Sequence, residues 1–495
     1  MIFMDKNILD ARKKDIDAIK NGVDILVIGG GITGSGVLNV LSSLNVKVAL
    51  VDANDFAFGT SSRSSKLIHG GLRYLANGQI SVVRDSVRER DFLLNYPDLV
   101  KREDFFIPLD EYSWSKTSLR FGLWVYSFFS KSIKAKWYPK EEISKMYPAL
   151  AKTPQKGGYI YAEGVVDDSR LVMENILSAK QNNAVALNYA EVTSINFEND
   201  IAKSAIIRDK VLGEEFTVPF KMLINSAGPW VGNIFKMMEN KYKEIDDLIK
   251  MLKLSKGDHI IIKKELFPVD VAIAIRSPID RRQVFVIPRG DVVIIGTTEI
   301  YYEGDISNPR PTEKEINYLI DSVKRYVKNL SRNDVINAYS GIRPLFGKGS
   351  DLGKISREYK IIKNKNIINI VGGKITTYRT VAIKLSRMVM EDLGVSGKPD
   401  IKFTYKRDIQ SKMDEISKKF ALKNDEQINY AYDILYESAF HLDDILWRRE
   451  GYSIFSNDAG LSKMDSCLEV MEKILNYDKK QLEWEKKNYL ETIYR

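Results

Sequence analysis

The chain is short of the two residue types that close disulfides and hold soft metals. Its 495 residues include one cysteine, Cys467, and three histidines, His69, His259 and His441. One cysteine excludes an intramolecular disulfide framework, and so few ligands of either kind argue against a Cys/His metal site. A reducing, intracellular setting is expected. Long apolar runs are also missing. The longest aromatic-aliphatic piece, "FGLWVYSFF" at 121–129, is less than half of the roughly 20 residues that a membrane-spanning helix needs. The opening "MIFMDKNILDARKKDIDAIKNG" has no apolar core of signal-peptide length and no small-residue cleavage site, so no export signal is expected. Internal repeats and low-complexity tracts are absent from the sequence.

What is present is globular in composition, 44% apolar and 28% charged. The length suits two or three domains rather than one core. The net charge of +9 is unevenly placed: from residue 400 onward acids outnumber bases, 19 against 16, so the excess lies earlier. Such a field attracts nucleic acid, anionic lipid or an anionic substrate. No nucleic-acid recognition motif accompanies it.

"VDILVIGGGITGSGVLNVLSSLNVKVALVD" (23–52) reads as strand, glycine turn, helix, strand. Its near-continuous apolar start predicts a strand covered on both faces. Gly29, Gly31 and Gly34 follow G-x-G-x-x-G, and Asp52 comes 18 residues after the last of them. This combination predicts a dinucleotide site. The glycines allow a tight turn and close approach to a pyrophosphate, the helix N-terminus offers free N–H groups, and Asp52 accepts from a ribose.

Further along, "SSRSSKLIHGGLRYL" (61–75) gathers hydroxyls, glycines and donors (Arg63, Lys66, His69, Arg73, Tyr74). "KGGYIYAEGVVDDSRLVMENILSAKQNNAVALNYAEVTSI" reads as strand, helix, strand, and "KMLINSAGPWV" as a strand ending in a close-approach turn. "DHIIIK", "QVFVIPR" and "DVVIIGTT" predict an antiparallel sheet in a separate lobe. "NIINIVGGKITTYRTVAIKLSRMVMEDLG" predicts strand, glycine turn and a helix from about Thr376, whose N-terminus carries positive charge. From about 400 the pattern is polar and helical. The fold expected is α/β, α+β overall: a discontinuous Rossmann-like domain (22–76, 155–235 and 335–390), an inserted antiparallel cap lobe (77–154 and 236–334) and a helical C-terminal domain (395–495).

"GGGITGSG", "TSSRSSKLIHGGLRYL", "VDDSRLV", "NSAGPWV", "KGDHIII", "VFVIPR", "IIGTTE", "YSGIRPL" and "GGKITTYR" occur in this order. As a set they resemble the FAD-dependent glycerol-3-phosphate dehydrogenases, a branch of the D-amino-acid-oxidase-like flavoproteins. The likeness is dense over residues 22 to 390 and fragmentary beyond, where "DDILWRRE" (443–450) also matches. It implies non-covalent FAD, oxidation of sn-glycerol 3-phosphate to dihydroxyacetone phosphate, and electrons passed to a membrane quinone. Implied cofactor-binding residues are Gly29, Gly31, Ile32, Thr33, Gly34, Asp52, Ser61, Ser62, Ser65, Lys66, Leu67, Val192, Ala227, Gly228, Gly373, Lys374, Thr376 and Thr377.

A phosphate monoester calls for at least two cations or rigid donors. Arg73, Arg343 and Lys374 are expected to supply them, with Tyr74 beside Arg73. Arg343, His259 and Lys374 are expected to carry the chemistry. Loss of hydride from an alcohol carbon also needs a base for the hydroxyl proton. The resemblance places His259 there, whereas Arg343 suits an alkoxide stabiliser. His69 stands where some flavoproteins attach FAD covalently, and His441 is read as a tail residue without chemistry. "KTSLRFGLWVYSFFSKSIKAKWYPK" (116–140) mixes bases with aromatics. It reads either as an interfacial anchor, giving a cytoplasmic protein peripherally attached to the inner face of the membrane, or as a core helix with a solvated edge. Partners implied are glycerol 3-phosphate, a quinone, a membrane surface and a homodimer. The alternatives in function are an oxidase that reduces oxygen to hydrogen peroxide and a flavin-binding interaction protein without turnover.

Overall fold

The computed structural model describes residues 6–72, 79–130, 134–239, 241–242, 244–347 and 359–493. Among these, the strands form two sheets. The first runs in the order Lys360–Asn364, Ile367–Val371, Glu214–Asn225, Val23–Ile28, Val48–Val51, Val185–Leu187. Its four central pairings, from Ile367–Val371 to Val185–Leu187, are parallel. A hairpin, Ala190–Glu198 with Ile201–Asp209, extends from it. Strand Val23–Ile28 shows why its sequence is apolar throughout. Ile25 and Val27 enter the core under helices Ile32–Ser42, Asp168–Gln181 and Tyr378–Leu393, while Leu26 and Ile28 enter the core on the other face.

The second sheet is mostly antiparallel, as the sequence predicts for the inserted lobe. Ile260 pairs with Ile295 and Val286 with Ile295, which aligns three of its strands. Its membership differs from the expected boundaries. Gly157–Val166 and Val335–Phe346, both assigned from sequence to the first domain, pair within this second sheet. Their apolar patterns suit either sheet, and only long-range pairing decides between them.

Helices from Ile409 to Thr492 enclose a separate core around Tyr430, Cys467 and Met471. The π-helical turn Asp444–Arg449 joins this domain to the first. Its Arg448 and Arg449 both bond the buried carboxylate of Asp55, at 2.6 and 2.8 Å. Trp447 reaches further and donates from Nε1 to the carbonyl of Ser62 at 3.4 Å.

Candidate active site

Gly29 ends the first strand with φ +103°, a backbone that side chains rarely adopt. Gly34 serves packing: a Cβ there would stand 1.9 Å from the Gly29 carbonyl oxygen. Helix Ile32–Ser42 begins between them with no acid in its first turn and no side-chain cap from Gly31. The Ile32 N–H donates to Ser61 Oγ at 2.9 Å. Asp52 accepts from Gly30 N at 2.6 Å and Asn54 N at 2.8 Å, and burial pushes its carboxyl up to about 6. Asp52 therefore pins the turn as well as facing the cavity beside it.

That cavity, of about 610 Å³, runs from the glycine turn past the Thr60–Ser65 loop to the Gly372–Gly373 turn and the second sheet. Of the residues expected from sequence, Gly29, Gly31, Ile32, Thr33, Asp52, Ser61, Ser65, Leu67, Val192, Ala227, Gly228, Arg343, Gly373, Lys374 and Thr376 line it. Arg73 and Tyr74 lie outside the described residues. One end offers backbone donors and a carboxylate, while Phe105, Tyr161 and Phe285 supply ring walls elsewhere. Such a lining fits a ligand with a phosphate-bearing stretch and a flat ring system, as FAD has.

Five expected residues do not line the cavity: Gly34, Ser62, Lys66, His259 and Thr377. Lys66 has φ +57°, which turns its side chain inward. There it pairs with Asp168, buried like itself, and donates to the Ser62 carbonyl at 2.8 Å. Its charge is matched inside the fold and does not face the cavity. Ser62 is fully buried under Trp447. The helix expected at Thr376 begins as a 3-10 turn, Ile375–Thr377, followed by Tyr378–Leu393. Thr376 Oγ1 accepts from His69 N at 3.3 Å.

His259 is the main correction. It is 1% exposed, pairs across strands with Tyr339 and Gly296, and stacks on the Tyr339 ring at 4.7 Å. Ser65 stands between it and the cavity, with Oγ 2.8 Å from Nε2. Burial, then the charges of Arg343 and Lys66, holds the imidazole well below its usual pKa and so neutral. Ser65 lines the cavity and His259 lies behind it. Arg343 does reach the cavity. Its guanidinium donates to Thr297 Oγ1 at 3.1 Å and occupies space that a side chain at Gly257 would fill, a Cβ there lying 2.2 Å from it.

Sequence reasoning missed a buried network at Gly70. Gly70 N donates to Glu163 and to the Tyr126 hydroxyl, both at 3.1 Å. Arg90 donates to the same hydroxyl at 2.6 Å and to Glu163 at 2.9 Å. Four separate segments converge there, so no local motif signals it. Arg63 was also given no role, although it lines the cavity from within the serine-rich stretch.

The fold and lining together define a flavin-dependent oxidoreductase architecture. Residues 24–375 match the FAD dependent oxidoreductase (DAO) family. The chain is 31% identical over 519 aligned positions to the aerobic glycerol-3-phosphate dehydrogenase of Staphylococcus aureus, covering 93% of this chain and 92% of that one. Among solved structures, the glycerol-3-phosphate dehydrogenase of Bacillus halodurans complexed with FAD superposes with a TM-score of 0.76 at 26% identity, over 97% of both chains. The L-alpha-glycerophosphate oxidase of Mycoplasma pneumoniae, at 18% identity and a TM-score of 0.58 over 78% of this chain and 98% of that one, shares the fold. The chain belongs to the FAD-dependent oxidoreductase family and, within it, to the glycerol-3-phosphate dehydrogenases.

Proposed function

We propose that this protein oxidises sn-glycerol 3-phosphate to dihydroxyacetone phosphate and passes the electrons to a membrane quinone. The observation that carries the reading is that Arg343 lines the same cavity as the glycine turn, in a pocket that Gly257 leaves open. FAD, when bound, supplies the acceptor for the hydride. Arg343 holds the substrate oxygens with its planar fork and stabilises negative charge on the reacting oxygen. Lys374 adds a second cation on the cavity wall. Ser65 takes the hydroxyl proton while its own passes to Nε2 of the neutral His259, 2.8 Å away.

Anaerobic addition of glycerol 3-phosphate is expected to bleach the flavin absorbance. Reoxidation by a quinone analogue, faster than by oxygen, supports the quinone; rapid reoxidation by oxygen with peroxide release identifies an oxidase instead. A flavin that stays oxidised refutes the substrate.

The membrane surface is part of the same proposal. Helix Lys116–Phe129 buries Leu119, Leu123 and Tyr126 and leaves Phe121, Trp124 and Phe128 at 65%, 66% and 81% exposure. Among the described residues no helix is long and apolar enough to cross a membrane. Outward aromatics beside Lys116, Arg120 and Lys136 suit shallow insertion among anionic headgroups. Pelleting with vesicles rich in phosphatidylglycerol is expected for the parent. It should be lost when Phe121, Trp124 and Phe128 become serine, while flavin bleaching persists. Unchanged pelleting removes this helix from the proposal.

A further inference from the structure

Arg63 is a cation on the cavity wall. Among the described residues no carboxylate pairs with it, and its side chain makes no hydrogen bond to another residue. What holds it is aromatic. Its guanidinium carbon lies 5.0 Å from the Trp447 ring centre and 6.0 Å from that of Phe58. The backbone is held as well: Arg63 N donates to Thr60 O at 3.2 Å, and its carbonyl lies where only a glycine, Gly341, leaves room, since a Cβ there would come within 2.5 Å.

The contrast with Arg448 sharpens the point. Arg448 also lies over Phe58, at 5.6 Å, but Asp55, Asp443 and Asp444 surround its charge. The cations near Arg63, namely Arg448 and Arg310, add to its field, and among the described residues Asp443 opposes them. Burial and these neighbours bring the guanidinium down to about 10, still charged at neutral pH. A guanidinium with its faces against rings keeps its N–H edge available, and that edge matches phosphate oxygens two at a time.

We infer that Arg63, clamped by Phe58 and Trp447, is a phosphate-binding residue of the cavity, with the C-terminal domain supplying one jaw of the clamp. The phosphate is either in the pyrophosphate of the dinucleotide or in the monoester of the substrate. The inference rests on the proposed function above, because both sources belong to it.

Binding measurements on the full chain separate the two. Arg63→Gln is expected to weaken one ligand about 10–100-fold, the scale of charge-assisted hydrogen bonds lost together. If the pyrophosphate is the partner, the FAD dissociation constant rises by that factor while that of FMN, which lacks the second phosphate, moves far less. If the monoester is the partner, FAD is retained and the concentration of glycerol 3-phosphate that perturbs the flavin spectrum rises instead, with that of glycerol unchanged. Arg63→Lys keeps the charge without the fork and should weaken the same ligand by a smaller factor. Either ligand's loss supports the inference and names its source. If both variants fold and both dissociation constants stay within twofold of the parent, the inference is overturned. If Arg63→Gln fails to fold, Arg63→Lys at parental affinity overturns it. A parent that binds neither FAD nor glycerol 3-phosphate fails the proposed function first, before any variant is made.

Discussion

His259 and His441 are chemically the same side chain in opposite electrostatic surroundings. His259, behind Ser65 of the cavity wall, has the cations Arg343 and Lys66 as its charged neighbours, and burial with those charges keeps it neutral. His441, where the C-terminal domain meets the first, has Glu485 2.7 Å away with Asp443 and Asp444 nearby, and its pKa rises to about 9. The same division runs through the two regions as wholes. At the domain junction buried charges are closed by opposite ones, as Asp55 is by Arg448 and Arg449. On the cavity side Arg63 has no acidic partner among the described residues, and His259 stays uncharged. A junction without a ligand gains by neutralising itself, whereas a cavity for a phosphorylated substrate must leave positive charge for it.

The strongest break in that contrast is Arg343→Lys. It keeps the cavity charge and removes the fork, so turnover should fall 10²–10⁴-fold in a protein that still folds and holds flavin, as read by single-turnover bleaching. Near-parental bleaching would remove Arg343 from the chemistry. Asp55→Ala tests the junction. It leaves Arg448 and Arg449 buried without their shared carboxylate, and stability should drop by about 3–5 kcal/mol in chemical denaturation. A loss below about 1 kcal/mol would show that neighbouring acids take over.

Next in size is Asp52→Ala. Charge-assisted hydrogen bonds of about 1.5–3 kcal/mol correspond to roughly 10–150-fold in affinity. FAD retention should weaken on that scale, with turnover in FAD-saturated protein changing less. Part of the loss is structural, since Asp52 also holds Gly30 N.

The smallest effects separate the two histidines by pH. A raised pKa stabilises the fold fully below the unfolded value of about 6.5 and less as pH climbs towards 9. A depressed one acts above about 6.5, and its stabilisation is lost as pH falls below that. His441→Gln should therefore flatten the decline in stability between pH 6.5 and 9, and His259→Gln the decline on the acid side. Denaturation midpoints at pH 5.5, 7 and 9.5 would show it, and identical profiles would show that neither ring titrates as described.

The sequence made the local parts of this site legible and the long-range parts not. Gly29, Gly31, Gly34 and Asp52 form one strand–turn–helix–strand unit, so spacing alone brings them together. The family resemblance alone puts His259 among the reacting groups, but which way it faces follows from register with Tyr339 and Gly296, set by strands far away in the chain. Lys66 looked like a cofactor donor because it sits among serines. Its left-handed backbone, which no pattern announces, sends it to Asp168. The second-sheet membership of Gly157–Val166 and Val335–Phe346 has the same origin, since a strand's partner lies outside its own sequence. "DDILWRRE" stood out as a matching fragment without a role. Its role emerges only from contacts with Asp55, Ser62 and Arg63.

Trp447 has a thermodynamic consequence. It touches the serine-rich loop through Ser62, and Ser61, Arg63, Ser64 and Ser65 of the same loop line the cavity. A ligand that binds only the folded state stabilises every element folding cooperatively with its site, by an amount that grows with ligand concentration. Cofactor loading and docking of the C-terminal helices are therefore linked, each favouring the other. FAD should slow hydrogen exchange in helices between Ile409 and Thr492 that contact no part of the flavin. A chain that has lost its cofactor should then exchange faster in those same helices.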